Sequence, residues 1–439
     1  MTENERPKSV RSSRRQFLGT ALSTGAATFA AGGAPLFVPQ RVLGGAGKPG
    51  ANDRINVGAI GVGGRATLLL QELPESAELV ALSDCNLPRA EIFKMLHRGK
   101  WAFYQDYRKL LDRKDIDAVI VATADFQRVL PCIHACQAGK DIYAEKPLSL
   151  YIREGRALVN AVRHYNRVLQ VGTQQRSMEM NRAACELVRS GRLGKVLEVR
   201  AMNFTGPRPN PARPLPSQPV PKGLDWNVWL GQAAWRDFNE DWMTWMPWRD
   251  FSGGQMTNWG AHGVDQIQWA LGMDGNGPSE IKPLSPGPDG AVSMRYANGV
   301  ELKFTPGHGP MGGAVFTCEK GKIEINRNKC TSNPPAIAEE LQKQVNVAEE
   351  NRKWSDSLSS MQARWHLQNW LDCIRTRRLP NADVEIGHRS ISVCHLANIA
   401  RAVGRPLHWD AAREEFKGDE AANRYLDRPR RHGFELPTT

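Results

Sequence analysis

The rhythm of apolar and polar positions changes about 175 residues into the chain. From Arg54 to about Gln174, short apolar runs alternate with longer stretches of helical period. The runs at 55–60, 78–84, 116–122, 141–144 and 168–171 read as strands, and 127–139 and 151–165 as two of the helices between them. Continuous apolar strands separated by helices predict an α/β unit with a doubly wound parallel sheet. After a further helix near 180–190 the pattern turns to strict alternation at 194–202, the mark of a sheet with one solvated face. More strands are expected at 291–296, 300–304, 314–318 and 322–326, and helices return at about 361–375 and 387–403. A proline-dense loop at 207–221 suits no central strand. The organisation expected is a separate first segment over 1–50, a doubly wound α/β domain over 51–175, and a second domain over 176–439.

The first apolar run ends in Gly61-Val62-Gly63-Gly64-Arg65-Ala66, which has the G-x-G-x-x-A spacing of a dinucleotide-binding turn. Gly61 permits the tight turn, and Gly63, followed by Gly64 and Arg65, lets the backbone approach a pyrophosphate. Small Ala66 lets the following helix pack closely, with its N-terminus facing the anion. About twenty residues on, the second strand ends in Asp84, where a ribose-binding carboxylate belongs. Asp84 favours NAD(H), while nearby Asn86 and Arg89 leave NADP(H) open. Ligands of such sheets bind outside the carboxyl ends of the strands, which adds Thr123, Glu145 and Lys146 to the candidate site.

Bulk properties narrow the choice. A chain of 439 residues, 41% hydrophobic and 24% charged, can build two full cores. Its formal charge of +12 suggests nucleic acid, but residues 1–50 hold seven basic residues against two acidic ones, and the other basic residues are scattered. Nucleic-acid binding is therefore not expected. Ser13-Arg14-Arg15-Gln16-Phe17-Leu18, followed by a weakly apolar run to about Ala34, resembles a twin-arginine signal. It implies the twin-arginine translocation machinery as a partner and a periplasmic or envelope location, with cleavage after Ala30 or Ala34. Eight irregularly spaced cysteines form neither a disulfide framework nor a zinc pattern, so buried thiols and no metal are expected.

A second concentration of chemistry lies between Trp226 and Trp269, where eight tryptophans crowd a loop-like region. They serve either as core anchors or as walls that stack on the apolar face of a sugar. Within it, Asn258-Trp259-Gly260-Ala261-His262-Gly263-Val264-Asp265 places Asn258 and His262 one helical turn apart. The glycine turn, Glu145-Lys146-Pro147, Gly172-Thr173-Gln174-Gln175-Arg176 and the Gly-Gly-x-Met-Thr run before His262 together resemble the Gfo/Idh/MocA family of nicotinamide-dependent oxidoreductases. That resemblance implies a Rossmann domain followed by an α/β domain with an open, mostly antiparallel sheet, and a homo-oligomer. It assigns Lys146 to binding and polarising a sugar or polyol hydroxyl and His262 to acid–base work; Asn258, able to orient an imidazole, is a further catalytic candidate, and Trp259, Asp265 and Arg176 are candidates beside the substrate. Two departures stand out. Asn258 occupies the aspartate position of D-x-x-x-H, and Thr123-Ala124-Asp125-Phe126-Gln127-Arg128 replaces T-P-D-H-W-H, putting Phe126 and Arg128 near the cofactor. The expected function is hydride transfer on a sugar or polyol with a tightly held cofactor. The alternatives are a glycosidase that oxidises transiently and an exported sugar-binding protein without catalysis.

Overall fold

The computed structural model describes residue 50 and residues 53–345 and 358–438, with side chains in the last segment from 363. The twin-arginine segment lies outside the described residues.

Six strands, β1 (Ile55–Ile60), β2 (Ala77–Ser83), β3 (Ala102–Tyr104), β4 (Ala118–Val121), β5 (Asp141–Ala144) and β6 (Leu169–Val171), form one sheet in the order β3-β2-β1-β4-β5-β6. Every neighbouring pair is parallel, which is the order of a doubly wound nucleotide-binding sheet. The strands are largely apolar because both faces are covered. On one face Val119, Val121, Ile142 and Ala144 pack with Ile133 of α2 (Val129–Gln137) and with Leu158 of α3 (Ile152–His164), which follow α1 (Gly64–Gln71). On the other, Val57, Ile120 and Tyr143 meet Leu367, Trp370 and Leu371 of a helix drawn from far down the chain, Leu358–Thr376.

A second sheet of nine strands takes up the region of alternating pattern. Its order is β13-β12-β11-β7-β10-β9-β8-β14-β15, for Val196–Met202, Glu280–Pro283, Val292–Arg295, Glu301–Thr305, Ala314–Cys318, Gly321–Asn326, Lys329–Asn333, Leu407–Asp410 and Glu415–Phe416 as β7 to β15. Only β7 and β10 pair in parallel; the other pairs are antiparallel. Alternate residues Val199, Leu302, Phe316 and Ile323 face a covering of helices, and Glu198, Arg200 and Lys303 form ion pairs on the other face. The covering helices are α4 (Glu179–Arg189), α6 (Gly260–Ala270) and α8 (Val384–Val403), preceded by the short α5 (Gly254–Asn258) and α7 (Leu358–Thr376). Helix α8 comes so close to the first sheet that a side-chain carbon on Gly387 would lie 2.4 Å from Val171.

The tryptophan-rich stretch is not one loop but short helices and turns around a satellite core. Trp226, Trp229 and Trp242 are buried there with Phe238 and Phe251, and Trp226 stacks on Trp229 at 4.6 Å. All eight cysteines are free thiols, and seven are buried.

Candidate active site

At the carboxyl edge of the first sheet, the turn from β1 to α1 is built as its glycines demand. Gly61 has φ +83°, and a side-chain carbon there would sit 3.0 Å from the backbone of Ala122 and Thr123. Gly63 and Gly64 have open space within 4 Å where a side chain would point, so their backbone is approachable from the cleft. The Asp84 carboxylate braces this turn. It accepts from Val62 N at 3.0 Å and Asn86 N at 2.9 Å, with Arg89 3.8 Å away.

From this turn a cleft of about 550 Å³ runs along the strand ends toward Lys146 and Asn258. Trp229, Gln232 and Trp245 form part of the opposite wall. Thr123 Oγ1 and both amide atoms of Gln232 are buried on that lining without a hydrogen-bond partner. Buried polar groups normally find partners. Unsatisfied donors and acceptors beside approachable glycine backbone and a ribose-type carboxylate fit a dinucleotide.

The end of β5 carries the reactive groups. Glu145 is buried and pairs with Arg65 of α1 at 2.8 Å, tying the helix to the strand end. The absence of a side chain at Gly172 makes room for that carboxylate, since a carbon there would lie 2.9 Å from it. Lys146 Nζ donates to Asn258 Oδ1 at 2.7 Å and to Asn258 O at 3.1 Å. Burial pushes the Lys146 amine down to about 8, helped by repulsion from Arg65 and Arg327 and opposed by Glu145 and Asp125.

His262 lies in the first turn of α6. Its main-chain N–H donates to Trp259 O, three residues back, while Asn258 O accepts from Lys146. The side chain is buried, and its Nδ1 has no partner. Burial, with Arg327, Lys146 and Arg65 nearby, holds the imidazole neutral, well below its ordinary range.

Two family descriptions match nearly all of this architecture. The oxidoreductase family's NAD-binding Rossmann fold matches residues 55–173, and its C-terminal alpha/beta domain matches 179–436. The chain belongs to the Gfo/Idh/MocA oxidoreductase family. Among curated relatives of this family, levoglucosan dehydrogenase of Pseudarthrobacter phenanthrenivorans is 27% identical over 238 residues, 49% of this chain and 59% of its own length. Inositol 2-dehydrogenase/D-chiro-inositol 3-dehydrogenase of Lacticaseibacillus casei is 32% identical over 154 residues, 34% of this chain and 44% of its own length. The chain thus matches about half the length of these relatives. Among solved structures, the WlbA dehydrogenase of Bordetella pertussis in complex with NADH and UDP-GlcNAcA shares the fold at TM-score 0.59. It is 17% identical, covering 82% of this chain and 99% of that one. Aldose-aldose oxidoreductase of Caulobacter crescentus shares it at TM-score 0.55 and 18% identity, covering 81% and 99%.

Several expected site residues of this family member lie elsewhere. Arg176 does not reach the cleft. It is buried in ion pairs with Asp265 at 2.8 Å and Asp274 at 2.7 Å, and Asp265 also accepts from Ser390 at 2.8 Å. Two carboxylates thus hold the guanidinium inside the domain. Trp259 packs against the Arg327 guanidinium at 4.8 Å rather than lining the cleft. Phe126 is fully buried against Trp229 and Phe251, so in the altered loop it is core and not a cofactor contact. Arg128 does line the cleft, but its guanidinium is engaged by the main-chain oxygens of Pro147 and Thr123 and by Asp125. Sequence reasoning passed over Gln232 and Phe434, both on the cleft lining. An amide and a ring in long irregular segments carry no spacing signal.

Proposed function

We propose that the protein moves a hydride between a sugar or polyol hydroxyl and a nicotinamide cofactor held in this cleft, NAD(H) in preference to NADP(H). The observation that carries the reading is one continuous cleft with a nucleotide-type turn and Asp84 at one end and the Lys146–Asn258 pair at the other. Bound there, oxidised nicotinamide supplies a hydride acceptor. The backbone of Gly61, Gly63 and Gly64 would hold the pyrophosphate, Asp84 the adenosine ribose diol, and Thr123 and Gln232 further polar groups. A 2′-phosphate would meet the Asp84 carboxylate, which repels it. Lys146 would bind the reacting hydroxyl, and the amphipathic rings of Trp229 and Trp245 suit the mixed faces of a sugar. The named activities of the relatives, on levoglucosan and inositols, support the substrate class.

The leader adds a second layer. If it directs export with cofactor bound, the enzyme must regain its starting cofactor state within each cycle, as in paired oxidation and reduction of two sugars. The aldose-aldose oxidoreductase among the structural neighbours supports this reading. The test is to denature the purified protein and quantify released nicotinamide per chain. Near-stoichiometric NAD(H) is expected. A protein that is empty and binds neither added NAD(H) nor added NADP(H) would overturn the proposal.

A further inference from the structure

We propose that Lys146 is the group that takes and returns the hydroxyl proton in this cleft, and that Asn258 is the positioning residue that fits it for that role. This rests on the proposed hydride transfer. A lysine ammonium has three N–H bonds and no lone pair, whereas the free amine has two N–H bonds and one lone pair. Asn258 presents two acceptors to Nζ, its Oδ1 at 2.7 Å and its main-chain O at 3.1 Å. On losing its proton, the amine could keep both N–H bonds on Asn258, which would leave its lone pair for a hydroxyl in the cleft that Lys146 lines. The Asn258 amide is held in this orientation because its Nδ2 donates to Gln255 Oε1 at 3.0 Å.

The uncharged amide matters as much as its geometry. A carboxylate at 258 would offer the same two acceptors but would hold the lysine as ammonium, without a lone pair. With asparagine there, burial is the largest influence on Lys146, the charges facing it are Glu145 and Asp125 on one side and Arg65 and Arg327 on the other, and the amine becomes accessible at mildly alkaline pH. His262 is poorly suited to the same task. Burial, with the same cations, opposes its protonation. In the oxidative direction the substrate O–H proton passes to Lys146 Nζ. Bound oxidised nicotinamide would supply the acceptor for the C–H hydride, and the C–O bond would become a carbonyl. In reduction the ammonium returns the proton.

The test is competitive labelling of lysines with trace acetic anhydride across neutral to alkaline pH, read peptide by peptide by mass spectrometry, with exposed Lys109 as internal reference. Lys146 of the intact protein is expected to label with a midpoint at about 8. Asn258→Asp is expected to raise the midpoint by about one unit, a roughly tenfold drop in labelling at neutral pH. The acid limb of the pH–kcat/KM profile should move the same way in Asn258→Asp and stay in place in His262→Gln. A wild-type midpoint equal to that of Lys109 overturns the assignment without recourse to any variant. So does an acid limb lost in His262→Gln. Loss of nicotinamide binding would instead sink the proposed function, and it is read separately from the labelling.

Discussion

Asp84 uses its two oxygens on two main-chain N–H groups, Val62 in the nucleotide turn and Asn86 just past β2, so it shapes the turn as well as facing the ribose position. Removing it should do two things at once. Asp84→Ala is expected to weaken NAD(H) binding by about tenfold to a hundredfold, the scale of a lost charged hydrogen bond, and to narrow the preference over NADP(H). Parallel titrations with both nucleotides check this, and an unchanged ratio would show that Asp84 does not select. Gly61→Ala tests the turn itself. The φ of +83° and the 3.0 Å approach to Ala122 and Thr123 leave an alanine strained by about 1–3 kcal/mol, which calorimetry would register as a lower Tm. These residues were legible from sequence because their chemistry is fixed by local spacing along one strand, turn and helix. Arg176 and Asp265 were not, since a buried charge that meets a ligand and one that meets another charge look alike until the fold brings Asp274 and Ser390 beside them.

At the level of elements, Arg176 joins the turn after β6 to α6, where Asp265 sits, and to the end of the Trp269 segment, over whose ring its guanidinium lies at 5.2 Å. Arg176→Met leaves the Asp265 carboxylate buried with only Ser390 as a partner, and burial already pushes that group up. A loss of about 3–5 kcal/mol in unfolding free energy is expected by urea titration, with nucleotide affinity per folded molecule unchanged. A fall in affinity at unchanged stability would return Arg176 to the substrate site. The long strands and helices of both domains were legible because their burial imposes a clear period, continuous in β1 and β4 and alternating in β7 and β10. The strands that escaped notice are short or edge pieces. β3 has three residues, β15 has two, β14 has four with polar His408 and Asp410, β8 ends in proline, and β13, Lys329–Asn333, has Cys330 as its single apolar side chain. Their pairing is imposed by neighbours already in place. Helix α7 shows the same limit in another way, since its period reveals an apolar face but not that the face covers the first sheet.

Across the whole molecule, buried histidines fasten the C-terminal helices to the rest of the fold, and this sets a direction for acid stability. His366 of α7 bonds Val171 O at 2.8 Å and Ser177 Oγ at 2.7 Å, His395 of α8 bonds Ser149 O at 3.1 Å, and His388 bonds Glu414 at 2.7 Å. Burial pushes His366 and His395 down to about 4, and His388 and His262 are lowered as well. Because the unfolded chain binds these protons near pH 6.5 and the native state does not, unfolding takes up protons between about 6.5 and 4. Stability is therefore full above the unfolded value and is lost as pH falls through that window, by about 3 kcal/mol for His366 alone. Asp125 and Asp265, raised by burial, act in the opposite sense above the ordinary carboxylate range and oppose part of this loss. Glu385 and Glu414, held at about 2 by their arginine and histidine partners, add their own loss at more acid pH. Thermal unfolding followed from neutral pH downward should show Tm falling most steeply between about 6.5 and 4, and His366→Gln should reduce that slope. A flat Tm through this window would mean that these histidines are already protonated in the native state, and the fastening of α7 and α8 would then need a different explanation.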